Sequence, residues 1–362
     1  MTVAAAAVML LYSCKRAESM DSDFQGPPSA SAALSTKIAA DEVSVLNGWL
    51  RFPSKDAFAS VMKVLHGQYA NGEKLAGWES QYSKRGFTSL RKLYEQIDAD
   101  TTEYRRMPTV DSLIKTGKIL DCPDSWFATV LSKDGLIQIA DTVYSFKPGK
   151  EKGDGIAIPA RHAGVIVRGG DFSSLQGAVL HETSFRWGPM FRWPDEEPIP
   201  GPTGLPICQY PSGFMPNWWG QKGKDVYASN NGIVFPEHNG RQVKLNYHRW
   251  RVGYIFYASA GVRVKMWKHT RFAGWQSVTY ADEMLIEACC KGKVIIPGFP
   301  LIPFNEQTSP GWPMFARYAE NNFEKTMKWT ATGLFNEIWL DHFNFHFKVN
   351  YRGRIVERDI RE

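Results

Sequence analysis

Cysteines are few in this sequence, five in 362 residues, and no two of them form a C-x-x-C pair. Zinc ribbons and thioredoxin-type redox sites need that spacing, so neither is expected. The G-x-S-x-G elbow, the P-loop, the G-x-G-x-x-G fingerprint and the H-E-x-x-H zinc site are missing as well. The sequence therefore carries no catalytic signature, and we predict no catalytic residue, no metal site and no cofactor.

The composition is otherwise that of a folded protein. Apolar residues make up 43% of the chain and charged residues 22%, which excludes an intrinsically disordered protein. A net charge of +6 permits an anionic partner without requiring one. The length accommodates two domains on the usual expectation of about 100–200 residues each.

The apolar run at the N-terminus, residues 3–12, is too short to span a membrane, because a helix of about ten residues covers about half of a hydrocarbon core. It fits the apolar part of a secretory signal, although no Lys or Arg precedes Cys14. The end of the run, LYSC at residues 11–14, resembles the lipobox of bacterial lipoproteins. This resemblance implies cleavage before Cys14 and attachment of acyl chains there. An exported lipoprotein of the outer membrane is therefore expected.

The remaining sequence divides by its periodicity. Residues 20–40 are rich in Ser, Ala, Pro and Gly and cannot offset their ordering entropy, so residues 14–42 are predicted to be a flexible tether after a signal peptide at residues 1–13. Residues 43–150 show helical spacings that begin after the N-cap candidate Ser54. They include a last short helix that Asp124 can cap, and they end in a β-hairpin. Residues 151–362 alternate with period two. We predict an α+β fold, with a small, mainly helical region followed by a larger β-rich domain, a sandwich or an open barrel.

Several short segments carry a family resemblance. They are NGWLRF at residues 47–52, GFTSL at 86–90, WFA at 126–128, LIQI at 136–139 and YASAGV at 257–262. In these segments the chain resembles a group of uncharacterised secreted lipoproteins of Bacteroidota, best over the first 150 residues. The family has no assigned activity, so the resemblance implies a location rather than a chemistry.

The cysteines beyond Cys14 are consistent with export. Cys122, Cys208, Cys289 and Cys290 are an even number, and an oxidising compartment allows them to pair. The adjacent pair Cys289 and Cys290 is the least favoured bridge because its geometry would be strained. Free buried thiols are the open alternative.

Two groups of residues are weak candidates, one for a metal site and the other for a pair of catalytic carboxylates. The alternation around His342 and His346 predicts a strand with a polar outer face over a Phe-rich inner face. That places the two histidines about 13 Å apart, too far to share one metal ion. Asp195, Glu196 and Glu197 lie in a Pro-rich loop near tryptophans, but glycosidases need two carboxylates about 5–10 Å apart, which sequence neighbours rarely provide. A solvated acidic loop is the favoured interpretation.

The most unusual segment has no acidic residue from 238 to 281, yet it contains eight cations. They are Arg241, Lys244, Arg249, Arg251, Arg263, Lys265, Lys268 and Arg271. Alternation predicts two strands that turn at residues 259–261 and bury one apolar face. The opposite face would then carry the predicted ligand-binding residues Arg249, Arg251, Tyr257, Arg263, Lys265 and Trp267. Aromatic rings among cations suit an anionic sugar, although an ordinary solvated strand face, with its charges balanced by acids elsewhere, is the favoured interpretation.

Two functions follow from these observations. The preferred one is a non-catalytic cell-envelope lipoprotein, held at the membrane by its lipid anchor, that binds an acidic glycan or another envelope component through this face. Nucleic acid is not an expected partner for an exported protein. The alternative is a secreted polysaccharide or peptidoglycan hydrolase that uses Asp195, Glu196 or Glu197 with His181 or His248.

Overall fold

The computed structural model describes residues 43–68, 75–99, 110–146, 155–162, 179–181, 220–225, 243–270, 274–276, 280–308, 314–320, 322–332 and 336–360. The predicted signal peptide, the tether, the loop with Asp195, Glu196 and Glu197, and Cys208 lie outside these residues. Strands dominate the described part and the helices lie in its N-terminal part, so the fold is α+β.

Five helices lie in the N-terminal part of the described chain, and three of them begin after a polar capping residue. They are α1 (Lys55–Gln68), α2 (Leu75–Ser83), α3 (Leu90–Ala99), α4 (Val110–Lys115) and α5 (Ser125–Val130). The Ser54 hydroxyl accepts a hydrogen bond from the Ala57 amide at 3.0 Å, and Ser89 does the same for Lys92 at 2.9 Å. Asp124 caps α5. Each cap satisfies a backbone donor that the first helical turn leaves unpaired.

A first sheet accompanies the helices. Its strands, in spatial order, are β1 (Ser44–Leu46), β2 (Trp49–Phe52), β3 (Leu136–Ile139), β4 (Thr142–Phe146), β5 (Gly155–Pro159) and β6 (Val179–His181). Strands β2 and β3 are parallel and the other neighbours are antiparallel. The β3–β4 hairpin is the one predicted from the sequence. Strands β5 and β6 extend this sheet beyond residue 150.

The rest of the described chain forms two larger antiparallel sheets. The second sheet contains β7 (Gly220–Asp225), β8 (Val243–Tyr254), β9 (Tyr257–Thr270), β10 (Gly274–Gln276) and β14 (Asn322–Thr330). The third contains β11 (Ala281–Ile295), β12 (Ile302–Gln307), β13 (Met314–Glu320), β15 (Glu337–Tyr351) and β16 (Arg354–Ile360). Side chains from both sheets, such as Val262, Val264, Ile286 and Phe345, share one hydrophobic core.

The β8–β9 hairpin has a buried side chain layer on each face. One face contributes to the core between the second and third sheets. The other face places Trp250, Val252, Tyr254, Phe256 and Tyr257 in the core of the helical region. The hairpin therefore joins the helices to the sheets, and Arg249 and Arg251 on it are buried.

The described cysteines agree in part with the predicted disulfide pairing. Cys289 is disulfide-bonded, whereas Cys122 and Cys290 are free and buried. The two adjacent cysteines are thus not bridged to each other, as their geometry predicts. No helix in the described ranges has the length and apolar character needed to cross a bilayer.

Candidate functional site

The structure corrects the predicted basic face through the register of the β8–β9 hairpin. The chain turns at Ile255 and Phe256, not at residues 259–261, so Tyr254 pairs with Tyr257. With this turn, odd-numbered residues of β8 oppose even-numbered residues of β9, and Arg249 pairs with Val262. Because paired residues point to the same side of a sheet, Arg249 and Arg251 lie on the opposite face from Arg263 and Lys265.

Arg249 and Arg251 are buried and do not form an exposed binding face. The Arg249 guanidinium donates a hydrogen bond to the backbone carbonyl of Phe343 on β15. The Arg251 guanidinium lies 3.9 Å from the Glu337 carboxylate, also on β15. Burial lowers the pKa of Arg251 to about 10, and Glu337 opposes that shift. Both arginines therefore connect the second sheet to the third.

The other predicted ligand-binding residues are divided between buried and partly exposed positions. Tyr257 is fully buried against the helical region. Arg263 is partly exposed and its guanidinium lies 4.0 Å from the Glu324 carboxylate. Lys265 is partly exposed, and the Trp267 side chain lies outside the described part. The six residues do not form one solvent-facing surface.

Tyr257 instead belongs to a polar cluster that joins the helices to β9 and β14, which we call the junction cluster: His66, Asp124, Ser125, Tyr257 and Glu324. The Tyr257 hydroxyl donates to Asp124 Oδ2 at 2.5 Å and lies 3.0 Å from His66 Nε2. Since that hydroxyl has one proton, which goes to Asp124, Nε2 of His66 must be the donor to Tyr257. The result is a chain of hydrogen bonds from imidazole to phenol to carboxylate.

The remaining atoms of this cluster are engaged as well. Asp124 Oδ1 accepts from the amides of Trp126 at 2.9 Å and Phe127 at 3.1 Å. The Glu324 carboxylate accepts from the Ser125 amide at 3.0 Å and from its hydroxyl at 2.6 Å. Asp124 was predicted as a helix cap from the sequence. Its partner, Tyr257, is too distant along the chain for any local pattern to indicate it.

Burial controls the electrostatics of the junction cluster. It raises the pKa of the Asp124 and Glu324 carboxyls above their ordinary values, and it raises that of the Tyr257 phenol. Burial, aided by the Lys325 ammonium, lowers the pKa of His66 to about 3. The imidazole is therefore neutral at physiological pH.

Aromatic rings enclose the imidazole of His66. It stacks on Trp329 of β14, with ring centroids 4.6 Å apart, and on Trp126 of α5 at 5.3 Å. Stacking and hydrogen bonding together fix the ring orientation. The cluster has the residue types of an acid–base site, but its arrangement is that of a link between a helical region and two strands.

A different exposed surface combines an aromatic ring with lysines. On the outer side of the third sheet, Trp339 of β15 pairs with Lys293 of β11, which pairs with Pro303 of β12. The next outward row contains His342, Lys291 and Asn305. Trp339 is 45% exposed, Lys291 is exposed and Lys293 partly exposed. We call Trp339, Lys291 and Lys293 the Trp339 face.

The two lysines of this face have no carboxylate partner within the described ranges. They are not among the ligand-binding residues predicted from the sequence. The alternation of Lys291 and Lys293 was a visible signal, but only strand pairing places Trp339 beside them. A chain separation of more than forty residues hides such a row from any local pattern.

The predicted strand with a Phe-rich inner face around His342 and His346 is confirmed. His342 and His346 share the outer face, while Phe343, Phe345 and Phe347 are buried in the core. His346 is covered by β16, where it hydrogen-bonds Asp359 and lies 3.2 Å from Glu357. No group of His, Cys, Asp and Glu that could hold a metal ion occurs among the described residues.

The hydrolase candidates cannot be placed relative to one another. Asp195, Glu196 and Glu197 lie outside the described residues. His181 is on β6 and His248 on β8, opposite Arg263, but their side chains are outside the described part. The carboxylate separation on which that alternative depends therefore stays a prediction.

Comparison with known proteins finds a weak structural similarity. No family model and no curated protein matches the chain. The chain is similar to the crystal structure of a DUF4848 family protein from Bacteroides thetaiotaomicron, with 10% sequence identity, a TM-score of 0.20, and coverage of 89% of this chain and 100% of that one. A likeness at this score carries no argument about fold or activity.

Proposed function

We propose that this protein is a non-catalytic lipoprotein of the cell envelope that binds an acidic glycan through the Trp339 face. The observation that carries the proposal is the cross-strand row in which an exposed indole lies beside Lys293, with Lys291 in the next outward row. A sugar ring can stack on the indole while the ammonium groups neutralise its carboxylate. Envelope location follows from the lipobox-like sequence that ends at Cys14.

The junction cluster supports a non-catalytic role. Both carboxylate oxygens of Asp124 accept hydrogen bonds from protein groups, and Tyr257 connects Asp124 to His66. A general base or nucleophile must present an atom to a substrate. Here the atoms with acid–base chemistry bind one another, so the cluster stabilises the junction.

Binding to polygalacturonate, compared with the neutral polymer dextran, tests the glycan proposal. Trp339→Ala removes the stacking ring and should weaken polygalacturonate binding about tenfold, equivalent to about 1.4 kcal/mol. The double change Lys291→Gln and Lys293→Gln removes the proposed ion pairs between each lysine and a carboxylate of the bound polymer. Such solvent-exposed ion pairs are worth up to about 1 kcal/mol each. It should also reduce the salt dependence of the affinity, because fewer charges are neutralised on binding.

Lys348→Gln is the matched control, since Lys348 lies on the same outer face further along β15, beside Leu285 and Glu357. It should bind polygalacturonate like the wild type. Equal affinity of the wild type and the Trp339→Ala variant would remove the Trp339 face as the binding site. Equal affinity for dextran and polygalacturonate would exclude recognition of the acid.

A further inference from the structure

The turn between β11 and β12 carries large apolar side chains into solvent. Phe299 is 59% exposed, Leu301 56% and Ile302 48%. We call these three residues the apolar tip. Four of the seven large apolar side chains that are exposed among the described residues are these three and the neighbouring Trp339. Scattered exposed apolar residues are ordinary, but such a concentration at one place marks an interaction surface.

The backbone of this turn is restricted, so its apolar side chains are held in exposed positions. Pro297 and Pro300 restrict the backbone on either side of Gly298, which has φ +83°. The Phe299 amide donates to the Ile296 carbonyl at 3.0 Å. A turn already held in shape loses little conformational freedom on binding.

Residue types change in a definite order away from the tip. Ile302 is in the row of Val294 and Ile338, Trp339 and Lys293 are in the following row, and Lys291 lies two residues further along β11. Apolar residues lie at the end, Trp339 and Lys293 follow side by side, and Lys291 lies behind them. Glu337, beside Ile295 and nearer the tip, lies 3.9 Å from the Arg251 guanidinium. Apart from this paired carboxylate, the order matches the polarity profile of a membrane interface. Lysines at that depth lie near the headgroups and attract anionic lipids.

The arrangement thus favours a lipid surface over a protein groove, because the apolar residues are exposed in a turn and two exposed or partly exposed lysines lie on the strand that leads to it. We propose that the apolar tip inserts into the surface of an anionic bilayer and docks the folded body against the membrane. This goes beyond glycan binding, since it depends on Phe299 and Leu301, which the glycan proposal does not use.

Hydrogen exchange of the full chain with vesicles tests the docking locally. Vesicles of phosphatidylcholine and phosphatidylglycerol at 3:1 should slow exchange of the amides of Gly298, Phe299, Leu301 and Ile302 about tenfold or more. Pure phosphatidylcholine vesicles should slow it much less, because the lysines then lack anionic headgroups. Amides around Ile355 of β16, 55% exposed at a different strand end, provide the internal control and should not change.

The double variant Phe299→Ser, Leu301→Ser should lose this protection while keeping the wild-type circular dichroism and thermal transition. Its polygalacturonate affinity should equal that of the wild type, whereas Lys291→Gln with Lys293→Gln should lower both readouts. Ile355→Ser is the matched variant and should keep the vesicle-induced protection.

Three results would overturn the inference. The first is no slowing of exchange at residues 298–302 with anionic vesicles. The second is equal slowing around Ile355. The third is concentration-dependent protection without vesicles, together with a dimer in light scattering that the double variant abolishes, because the tip would then be a contact between two copies of the chain.

Discussion

At the residue scale, close packing decides which positions of the β8–β9 hairpin tolerate a side chain. A Cβ on Gly261 would lie 2.3 Å from Cζ2 of Trp250 and 2.6 Å from the Lys325 carbonyl oxygen. The indole of Trp250 therefore occupies the space above a glycine, with its Nε1 3.3 Å from the Ser259 hydroxyl. Protein interiors have no spare volume to absorb such a contact.

Gly261→Ala should lower the free energy of unfolding by about 1–3 kcal/mol, because the Trp250 ring has to move. Urea unfolding followed by fluorescence measures the change. Gly253→Ala in the same hairpin is the control, since the nearest atom to its Cβ, the Asn336 carbonyl oxygen, is 3.6 Å away. An equal loss in both variants would show that the Trp250 contact is not the cause, because the lower entropy of the unfolded chain by itself raises stability when Ala replaces Gly.

At the scale of elements, the last turn of α1 meets two strands through His66, which contacts Tyr257 of β9 and Trp329 of β14. The folded state favours the neutral imidazole, with a pKa of about 3 against an ordinary 6.5. Below pH 6.5 the unfolded chain binds a proton that the folded chain does not. The stability from His66 is therefore complete above pH 6.5 and is lost as the pH falls towards 3.

This linkage predicts a pH-dependent difference between the wild type and His66→Gln. Between pH 6.5 and 4, the wild type should lose up to about 1.4 kcal/mol of stability per pH unit through this group. The raised pKa values of Asp124 and Glu324 act with the opposite sign, because the folded state keeps those protons as the pH rises. They remain in the variant, so the difference isolates the imidazole.

Urea unfolding at pH 4.5, 5.5 and 7 gives the two profiles. The free energy of unfolding should vary less with pH in His66→Gln than in the wild type, because the variant lacks the titrating imidazole. Parallel profiles would mean that the folded protein accepts a proton on His66 as readily as the unfolded chain does.

At the scale of the whole molecule, the helical region and the sheets are one connected structure. The β8–β9 hairpin contributes to both cores, and Glu324 of β14 binds Ser125 of α5. A body built this way can dock on a surface as a unit. Its proposed attachment to the membrane depends on Cys14, which lies outside the described residues.

Metabolic labelling with a palmitate analogue tests that attachment. The wild-type protein should incorporate label and sediment with membranes, and Cys14→Ala should do neither, because acyl chains are the proposed anchor. Cys122→Ala is the control, as its thiol is buried in the folded body. A wild-type protein that stays unlabelled and soluble, with residues 1–13 retained, would remove the lipoprotein proposal.

Local chemistry determined what the sequence alone could predict. Capping by Ser54 and Asp124, the β3–β4 hairpin, and the polar and apolar faces of β15 all depend on residues within a few positions of one another. Such features can be predicted because capping hydrogen bonds and side-chain periodicity involve residues only a few positions apart in the sequence.

Tertiary structure alone decided where the charges lie. The turn at Ile255 and Phe256 sets the hairpin register, and a change of one residue in that register moves a side chain to the opposite face. The sequence showed cations and aromatic rings in alternation, but it did not show that residues 249–252 of β8 would be buried on both faces. Burial of Arg249 and exposure of Trp339 result from which sheets pack together. That outcome depends on the summed contacts of residues far apart in the chain, and no local pattern contains it.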